Sequence, residues 1–355
     1  MARAGSASDP ASDALFHALA DPTLKPAADA RVLVLGARES PGLHAARGAG
    51  WVYEQDSKPR ADALARAGLA TAPPAPQARF DRVLVLPPRQ REQARALLAR
   101  AVSLLAEGGI VLAAMPNTEG ARSGATDLAR LAGDGGSLSK FHCRAFWCAP
   151  RSDGSADAAL VAEWQALDAI RPILDGRYLS RPGLFAWDRV DAGSALLAEH
   201  LPADLAGRVA DLGAGWGFLA SELLRRCPRI AHLDLYEADA RALEPARANL
   251  GAALLPHADG VAAQVHWHDV TAGLPARYDA IVSNPPFHQG RADDPALGRA
   301  FIDAAADALA PQGRLILVAN RHLPYEATLA RRFAQVRTLA DRDGFKVLAA
   351  TQARA

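Results

Sequence analysis

One pattern stands twice in this 355-residue chain, 198 residues apart. Phe80-Asp-Arg-Val-Leu-Val-Leu86-Pro-Pro88 aligns without a gap on Tyr278-Asp-Ala-Ile-Val-Ser-Asn284-Pro-Pro286. Upstream, Arg31-Val-Leu-Val-Leu-Gly36 matches Arg208-Val-Ala-Asp-Leu-Gly213 at an offset of 177, and Val52-Tyr-Glu54 matches Leu235-Tyr-Glu237 at 183. Downstream, Arg95-Ala-Leu-Leu through Gly109-Ile-Val-Leu matches Arg299-Ala-Phe-Ile through Gly313-Arg-Leu-Ile-Leu at 204. The order is kept and the offset grows slowly, as loop insertions would make it. Such self-similarity reads as one fold used twice. It predicts a first domain over 1–155 and a second over 160–355, joined at the turn-forming stretch that starts Pro150-Arg-Ser-Asp-Gly.

Within each copy, short apolar runs bounded by Gly, Pro or Asp alternate with helical stretches. The runs are Val32–Leu35, Val83–Leu86 and Ile110–Ala114, then Val209–Leu212, Ala280–Ser283 and Leu315–Ala319. Strands this apolar suit a parallel sheet covered on both faces. Gln90–Ala106 and Ala296–Ala310 carry Leu or Ala at three- and four-residue spacing, which predicts helices. The expected fold class is α/β: two tandem Rossmann-like, doubly wound domains, with ligand expected at the carboxyl ends of the strands.

Composition excludes more than it assigns. Half of the residues are apolar and the net charge is +1, so no global field advertises a nucleic-acid partner. No run of 18 apolar residues predicts a membrane span, and the first 15 residues carry Ser, Asp and Pro where a secretory signal has its apolar core. Cys143, Cys148 and Cys227 make no disulfide framework and no CxxC pair. His266-x-His268 has metal-like spacing, but without a further Cys/His cluster it reads as a strand end. The expectation is a cytoplasmic monomer without metal or membrane contact.

The second copy carries motifs that the first lacks. In Asp211-Leu-Gly213-Ala-Gly215-Trp-Gly217, a strand ends in an acid and alternate glycines let the backbone turn tightly against a ligand. This is not the G-x-G-x-x-G dinucleotide fingerprint. Glu237 ends the next strand, where a carboxylate can accept both hydroxyl hydrogens of a ribose. Asp269 ends the strand after that and can accept from an adenine amino group. Each acid alone reads more readily as a solvated strand end; together they suggest a nucleoside-bearing cofactor across the strand ends. In Asn284-Pro285-Pro286-Phe287, two prolines remove two backbone donors and hold the chain extended. The Asn amide oxygen and a neighbouring carbonyl can then accept from an exocyclic amino group, and Phe287 can stack on a flat base.

This series resembles the class I S-adenosylmethionine-dependent methyltransferases that modify planar amino nitrogens. More narrowly, it resembles the bacterial ribosomal RNA guanine-N2 methyltransferases of the RsmC/RlmG type, which are also tandem duplications with a degenerate N-terminal copy. Supporting strings are Arg181-Pro-Gly-Leu-Phe-Ala-Trp-Asp-Arg-Val-Asp191-Ala-Gly-Ser, Val318-Ala-Asn320-Arg-His-Leu-Pro-Tyr325 and Gly344-Phe-Lys-Val-Leu348. The resemblance covers 181–350 closely and 1–150 loosely, and Trp216-Gly217 departs mildly from a turn that often ends Gly-x-Leu. It implies S-adenosylmethionine as cofactor and ribosomal RNA or the small ribosomal subunit as partner, with 16S rRNA favoured. It places Asn284, Pro285, Pro286 and Phe287 at the reaction, and Asp211, Gly213, Gly215, Gly217, Glu237 and Asp269 on the cofactor. It also implies that Phe185 and Asp191 close over the methionine end.

In the first copy Val34 stands for Asp211, Arg38 for Gly215, Ser40 for Gly217, Leu86 for Asn284 and Arg89 for Phe287, while Glu54 reads as a retained acid. A domain so changed is expected to be without cofactor. The run Arg79, Arg82, Arg89, Arg91, Arg95 and Arg100 suggests an RNA-binding or structural role for it. Two rival readings stand beside the guanine one: the same chemistry on adenine N6 or a protein glutamine amide, and a non-catalytic RNA-binding or assembly factor.

Overall fold

The computed structural model describes residues 9–154, 156–257, 260–286, 288–289, 292–293 and 295–354. The chain divides into two compact units, Met1–Ala169 and Ile170–Ala355. Among the described residues, the first unit holds strands β1 Val32–Leu35, β2 Trp51–Glu54, β3 Phe80–Val85, β4 Leu105–Pro116, β5 Asp134–Lys140 and β6 Cys143–Cys148. They form one sheet in the order β2-β1-β3-β4-β6-β5, with β6 antiparallel to both neighbours and β1 to β4 parallel.

The second unit opens with a hairpin of β7 Arg171–Ile173 and β8 Tyr178–Ser180. Then come β9 Ala206–Leu212, β10 Arg229–Glu237, β11 Ala262–Trp267 and β12 Tyr278–Ser283. A short antiparallel pair, β13 His288–Gln289 and β14 Ala292–Asp293, precedes β15 Leu309–Asn320, β16 Phe333–Arg342 and β17 Phe345–Ala353. The main sheet runs β11-β10-β9-β12-β15-β17-β16, with β17 antiparallel to both neighbours and β9 to β12 and β15 parallel. Removing β11 from this order leaves the order of the first unit, strand for strand. The α/β class and the duplicated architecture therefore stand.

The apolar runs make these sheets because they are buried on both faces. Val32 to Leu35 are all at most 1% exposed, and so are Val209, Ala210, Leu212, Ile281 and Val282. Burying a side chain of this size stabilises the fold by about 1.5–3 kcal/mol. The helices Arg91–Ser103 and Pro295–Ala308 lie between equivalent strands and bury equivalent apolar faces. A matching side-chain hydrogen bond marks the duplication as well. Asp81 accepts from the Arg31 N–H at 2.8 Å, and Asp279 accepts from the Arg208 N–H at 2.8 Å.

Strand register changes one correspondence. Leu35 pairs with Glu54 in the first sheet, and Leu212 pairs with Tyr236 in the second. The Ala37 N–H donates to the Glu54 carbonyl just as the Ala214 N–H donates to that of Tyr236. Glu54 is therefore the counterpart of Tyr236, and Gln55 is the counterpart of Glu237. The Gln55 Oε1 accepts from the Ser57 N–H at 2.8 Å, as the Glu237 Oε1 accepts from the Asp239 N–H at 2.7 Å. A one-residue slip sends a side chain to the opposite face of a strand. Glu54 accordingly meets Arg100, whose Nη2 lies 2.7 Å from its Oε2. The apparent retained acid belongs to an ion pair, and the true position has lost its charge.

Two further expectations meet the structure at the joint and the arginine run. The helix Ala158–Gln165, capped by Asp157, packs within the first unit, where Trp164 is 2% exposed and lies under the Arg95 guanidinium at 4.5 Å. Arg95 donates twice to Asp127, at 2.9 and 3.0 Å, with the more exposed Arg91 reaching the same carboxylate at 3.5 Å. Arg82 donates to the Leu24 carbonyl at 3.0 Å. Much of the run thus serves the unit's own packing. Among the described residues no helix is long and apolar enough to cross a membrane.

Candidate active site

The glycine turn begins where β9 ends. Gly213, Gly215 and Gly217 have φ of +73°, +55° and +91°, a region that side-chain-bearing residues enter at a cost. At Gly215 an added Cβ would meet nothing within 4 Å, so the turn presents bare backbone to open space. Gly217 starts the helix Phe218–Arg226.

Two acids lie under this turn. Asp211 is completely buried, and neither of its oxygens makes a hydrogen bond of ordinary geometry; the Ala220 N–H approaches it from the following helix. Burial, reinforced by the neighbouring Glu237 charge, pushes its carboxyl up to about 7. Glu237 accepts from the Gly215 N–H and the Asp239 N–H, both at 2.7 Å, and thereby ties the turn to the end of β10. Burial raises its carboxyl as well, against the opposing pull of those hydrogen bonds. Asp269 follows β11, with its Oδ1 accepting from the Thr271 N–H and hydroxyl at 2.9 and 2.7 Å. The His268 N–H donates to the Glu237 carbonyl at 2.8 Å, which sets Asp269 beside the end of β10.

The Asn284-Pro285-Pro286 segment leaves the neighbouring strand β12. Pro286 Cδ stands 3.7 Å from where a Gly213 Cβ would be, so the two motifs touch. The Asn284 amide nitrogen donates to Asp191 Oδ2 at 3.0 Å and to Ser194 Oγ at 2.8 Å. Both acceptors belong to the start of the helix Ala192–Glu199, where Asp191 also caps the Ser194 N–H at 2.9 Å. Phe287 lies outside the described residues.

A small cleft joins these pieces. Phe185, Asp191, Ser194, Gly213, Gly215 and Asn284 all line it. Phe185 is 60% exposed at its mouth. The segment bearing Phe185 is pinned to the unit from three sides. The Trp216 indole donates to the Ala186 carbonyl at 3.2 Å, buried Arg241 to that of Pro182 at 2.6 Å, and Asn249 to that of Leu179 at 2.8 Å.

The arrangement can hold a cationic, nucleoside-bearing molecule. It offers a bare backbone turn, a buried carboxylate whose own hydrogen bonding is incomplete, acids at two neighbouring strand ends and the Asn284 side chain on the cleft wall. Of the expected residues, Phe185, Asp191, Gly213, Gly215 and Asn284 meet in the cleft, Asp211 and Glu237 lie beneath it, and Asp269 stands further along the strand ends. Ser194 and Trp216 are the additions. Ser194 had a local signal in Asp191-x-x-Ser194, a helix-capping spacing, but its contact with Asn284 spans 90 residues of sequence.

The histidines of His266-x-His268 serve the fold. His266 Nε2 lies 2.8 Å from Asp234 Oδ1, and His268 Nε2 lies 2.6 Å from the Gly273 carbonyl. Asp234 also accepts from Arg208 and from the Tyr278 hydroxyl, bonds that hold its carboxyl down to about 2. Among the described residues no group of three or more His, Cys, Asp or Glu is placed to hold a metal ion.

Residues 175–349 match the family model described as methyltransferase small domain. The ribosomal RNA small subunit methyltransferase C of Pseudomonas paraeruginosa is 33% identical over 347 residues, covering 96% of this chain and 99% of that protein. Its namesake in Shewanella baltica is 31% identical over 276 residues, covering 77% of each. Among solved structures, the T. thermophilus 16S rRNA N2 G1207 methyltransferase, in complex with AdoMet and guanosine, superposes with a TM-score of 0.77. It is 27% identical, with 98% of this chain and 92% of that one covered.

Proposed function

The chain belongs to the ribosomal RNA small subunit methyltransferase C family, and from that premise we propose how its second unit carries out the family's reaction. The chain is an S-adenosylmethionine-dependent enzyme that methylates the N2 amino group of a guanine in 16S rRNA. The observation that carries the site assignment is the meeting of the glycine turn and Asn284 in one cleft, with Asp211 buried at the strand end that leads into the turn. The adenine-N6 and glutamine readings share the Asn-Pro-Pro motif. The similarity to the T. thermophilus 16S rRNA N2 G1207 methyltransferase over 98% of the chain favours guanine N2.

The residues present fit the cofactor. Asp211 is a buried carboxylate with unused acceptor capacity, as the positive charge of S-adenosylmethionine requires. Gly215 leaves room for close approach, Glu237 and Asp269 supply acceptors for ribose and adenine, and Phe185 covers the mouth of the cleft. When bound, the cofactor supplies an electrophilic methyl group on a sulfonium leaving group.

The chain's residues then have to hold the guanine amino nitrogen in line with that methyl, an orientation effect. The nitrogen lone pair is delocalised into the purine ring. Acceptors at Asn284 Oδ1 and a neighbouring backbone carbonyl draw the amino hydrogens aside and favour a pyramidal nitrogen as positive charge grows there. Pro285 and Pro286 keep those acceptors pointed inward because an extended Pro-Pro segment cannot fold back on itself. Phe287 stacks on the base, which must leave any helix to reach it. No strong general base is needed, since the proton departs after the methyl arrives.

The test is nucleoside mass spectrometry of 16S rRNA from cells lacking the gene, after incubation with the protein and labelled S-adenosylmethionine. N2-methylguanosine at one position is expected, and mapping that position identifies the substrate guanine. Label in N6-methyladenosine, or none in RNA, would contradict the assignment.

A further inference from the structure

The Asn284 amide has two nitrogen-bound hydrogens, and both are taken. One goes to Asp191 Oδ2 at 3.0 Å and the other to Ser194 Oγ at 2.8 Å. A carboxylate can only accept hydrogen bonds. Turning the amide over would bring Asn284 Oδ1 against Asp191 Oδ2, with repulsion in place of a bond. The orientation of the side chain is therefore set by its partners, and Oδ1 is left as the atom Asn284 can offer to the cleft.

The partners are themselves fixed. Asp191 Oδ2 accepts the Ser194 N–H at 2.9 Å, closing the first turn of the helix Ala192–Glu199. One carboxylate oxygen thus serves the helix cap and the amide at once. Gly193 lies between them, with the Phe345 ring packed against it: a Cβ there would stand 3.0 Å from that ring. Phe345 begins β17, so the clamp is braced by the sheet.

We propose that Asp191 and Ser194 are positioning residues that lock Asn284 as a hydrogen-bond acceptor. They make the site selective for a purine with an amino group at C2 over one with a keto oxygen there. The proposal rests on Asn284 being the acceptor for the guanine amino group. A reversed amide would present a donor, which suits a keto group and repels an amino group. Asp191 keeps its place on the cleft wall, but its Oδ2 acts through Asn284.

Four variants of the full chain test this. Ser194→Ala should lower kcat about tenfold, the scale of one hydrogen bond, with the Kd for S-adenosylmethionine held within about twofold. Ser194→Thr should restore kcat, since it returns the hydroxyl. Asp191→Asn keeps a good helix cap but replaces an acceptor-only group by one that can also donate. It should lower kcat by about tenfold or more and narrow the preference for guanosine over xanthosine as competitive inhibitors. If kcat stays within twofold in both Ser194→Ala and Asp191→Asn, or if Ser194→Thr fails to restore it, the lock is wrong. Asn284→Ala separates the two levels. Full activity there removes Asn284 from the reaction, whereas an inactive Asn284→Ala beside fully active Asp191 and Ser194 variants overturns the lock alone.

Discussion

Asp211 is costly where it stands. A carboxylate shut away from water with incomplete hydrogen bonding resists ionisation, and its titration near pH 7 follows from that. Its pKa is raised on folding, so its contribution to apo stability is full below the ordinary carboxylate range and is lost as pH rises through about 7. Cofactor binding runs the other way, because a cation is attracted by the ionised form. S-adenosylmethionine affinity should therefore rise with pH through about 7, as read by calorimetry across that range. Asp211→Asn should flatten this dependence and weaken binding, while raising the thermal midpoint of the apo protein at pH 8. An unchanged pH profile in Asp211→Asn would show that another group controls affinity.

The element scale shows what a repeat can and cannot reveal in sequence. The strand runs and the Pro-Pro corner are legible because they depend on local composition and recur in both copies, and the glycine turn is legible in the second copy, where its three glycines stand intact. Register is not. Val52-Tyr-Glu54 over Leu235-Tyr-Glu237 is the better match by letter, but the backbone pairs Glu54 with Leu35 and so aligns it with Tyr236. Only the hydrogen-bonded neighbour strand tells the two apart. The missing edge strand is similar: where the second unit has β11, the first retains a single parallel bridge between Tyr53 and Thr71. The Asn284 clamp was hidden for another reason, since it joins a helix start to a strand end across more than 90 residues. These registers predict opposite outcomes for two matched variants. Glu237→Gln should weaken S-adenosylmethionine binding about 10- to 100-fold, the scale of hydrogen bonds to a charged group. Glu54→Gln should leave that binding unchanged and cost about 1 kcal/mol in denaturant unfolding, because it loses only a partly exposed ion pair.

For the whole molecule, the two copies differ where the glycine turn stands. In the first unit, the place of Gly215 holds Arg38, which pairs with Asp9 at 2.5 Å. The place of Gly217 holds Ser40, whose hydroxyl meets that of Ser12 at 2.9 Å and caps the helix Pro41–Ala46. Side chains thus fill the space in which the second unit presents bare backbone. The full chain should therefore bind one S-adenosylmethionine, and Asp211→Asn should weaken that one event. Calorimetric titration giving two sites of similar affinity would contradict this expectation.

In the proposed reaction Asn284 accepts the hydrogens of the guanine amino group while the glycine turn holds the cofactor. The most direct measurement is single-turnover transfer of labelled methyl to 16S rRNA by Asn284→Ala, alongside its Kd for S-adenosylmethionine. The rate of N2-methylguanosine formation should fall about 10²–10³-fold, the scale of losing one preorganised polar contact, with cofactor affinity unchanged. Transfer at the wild-type rate would remove Asn284 from the reaction.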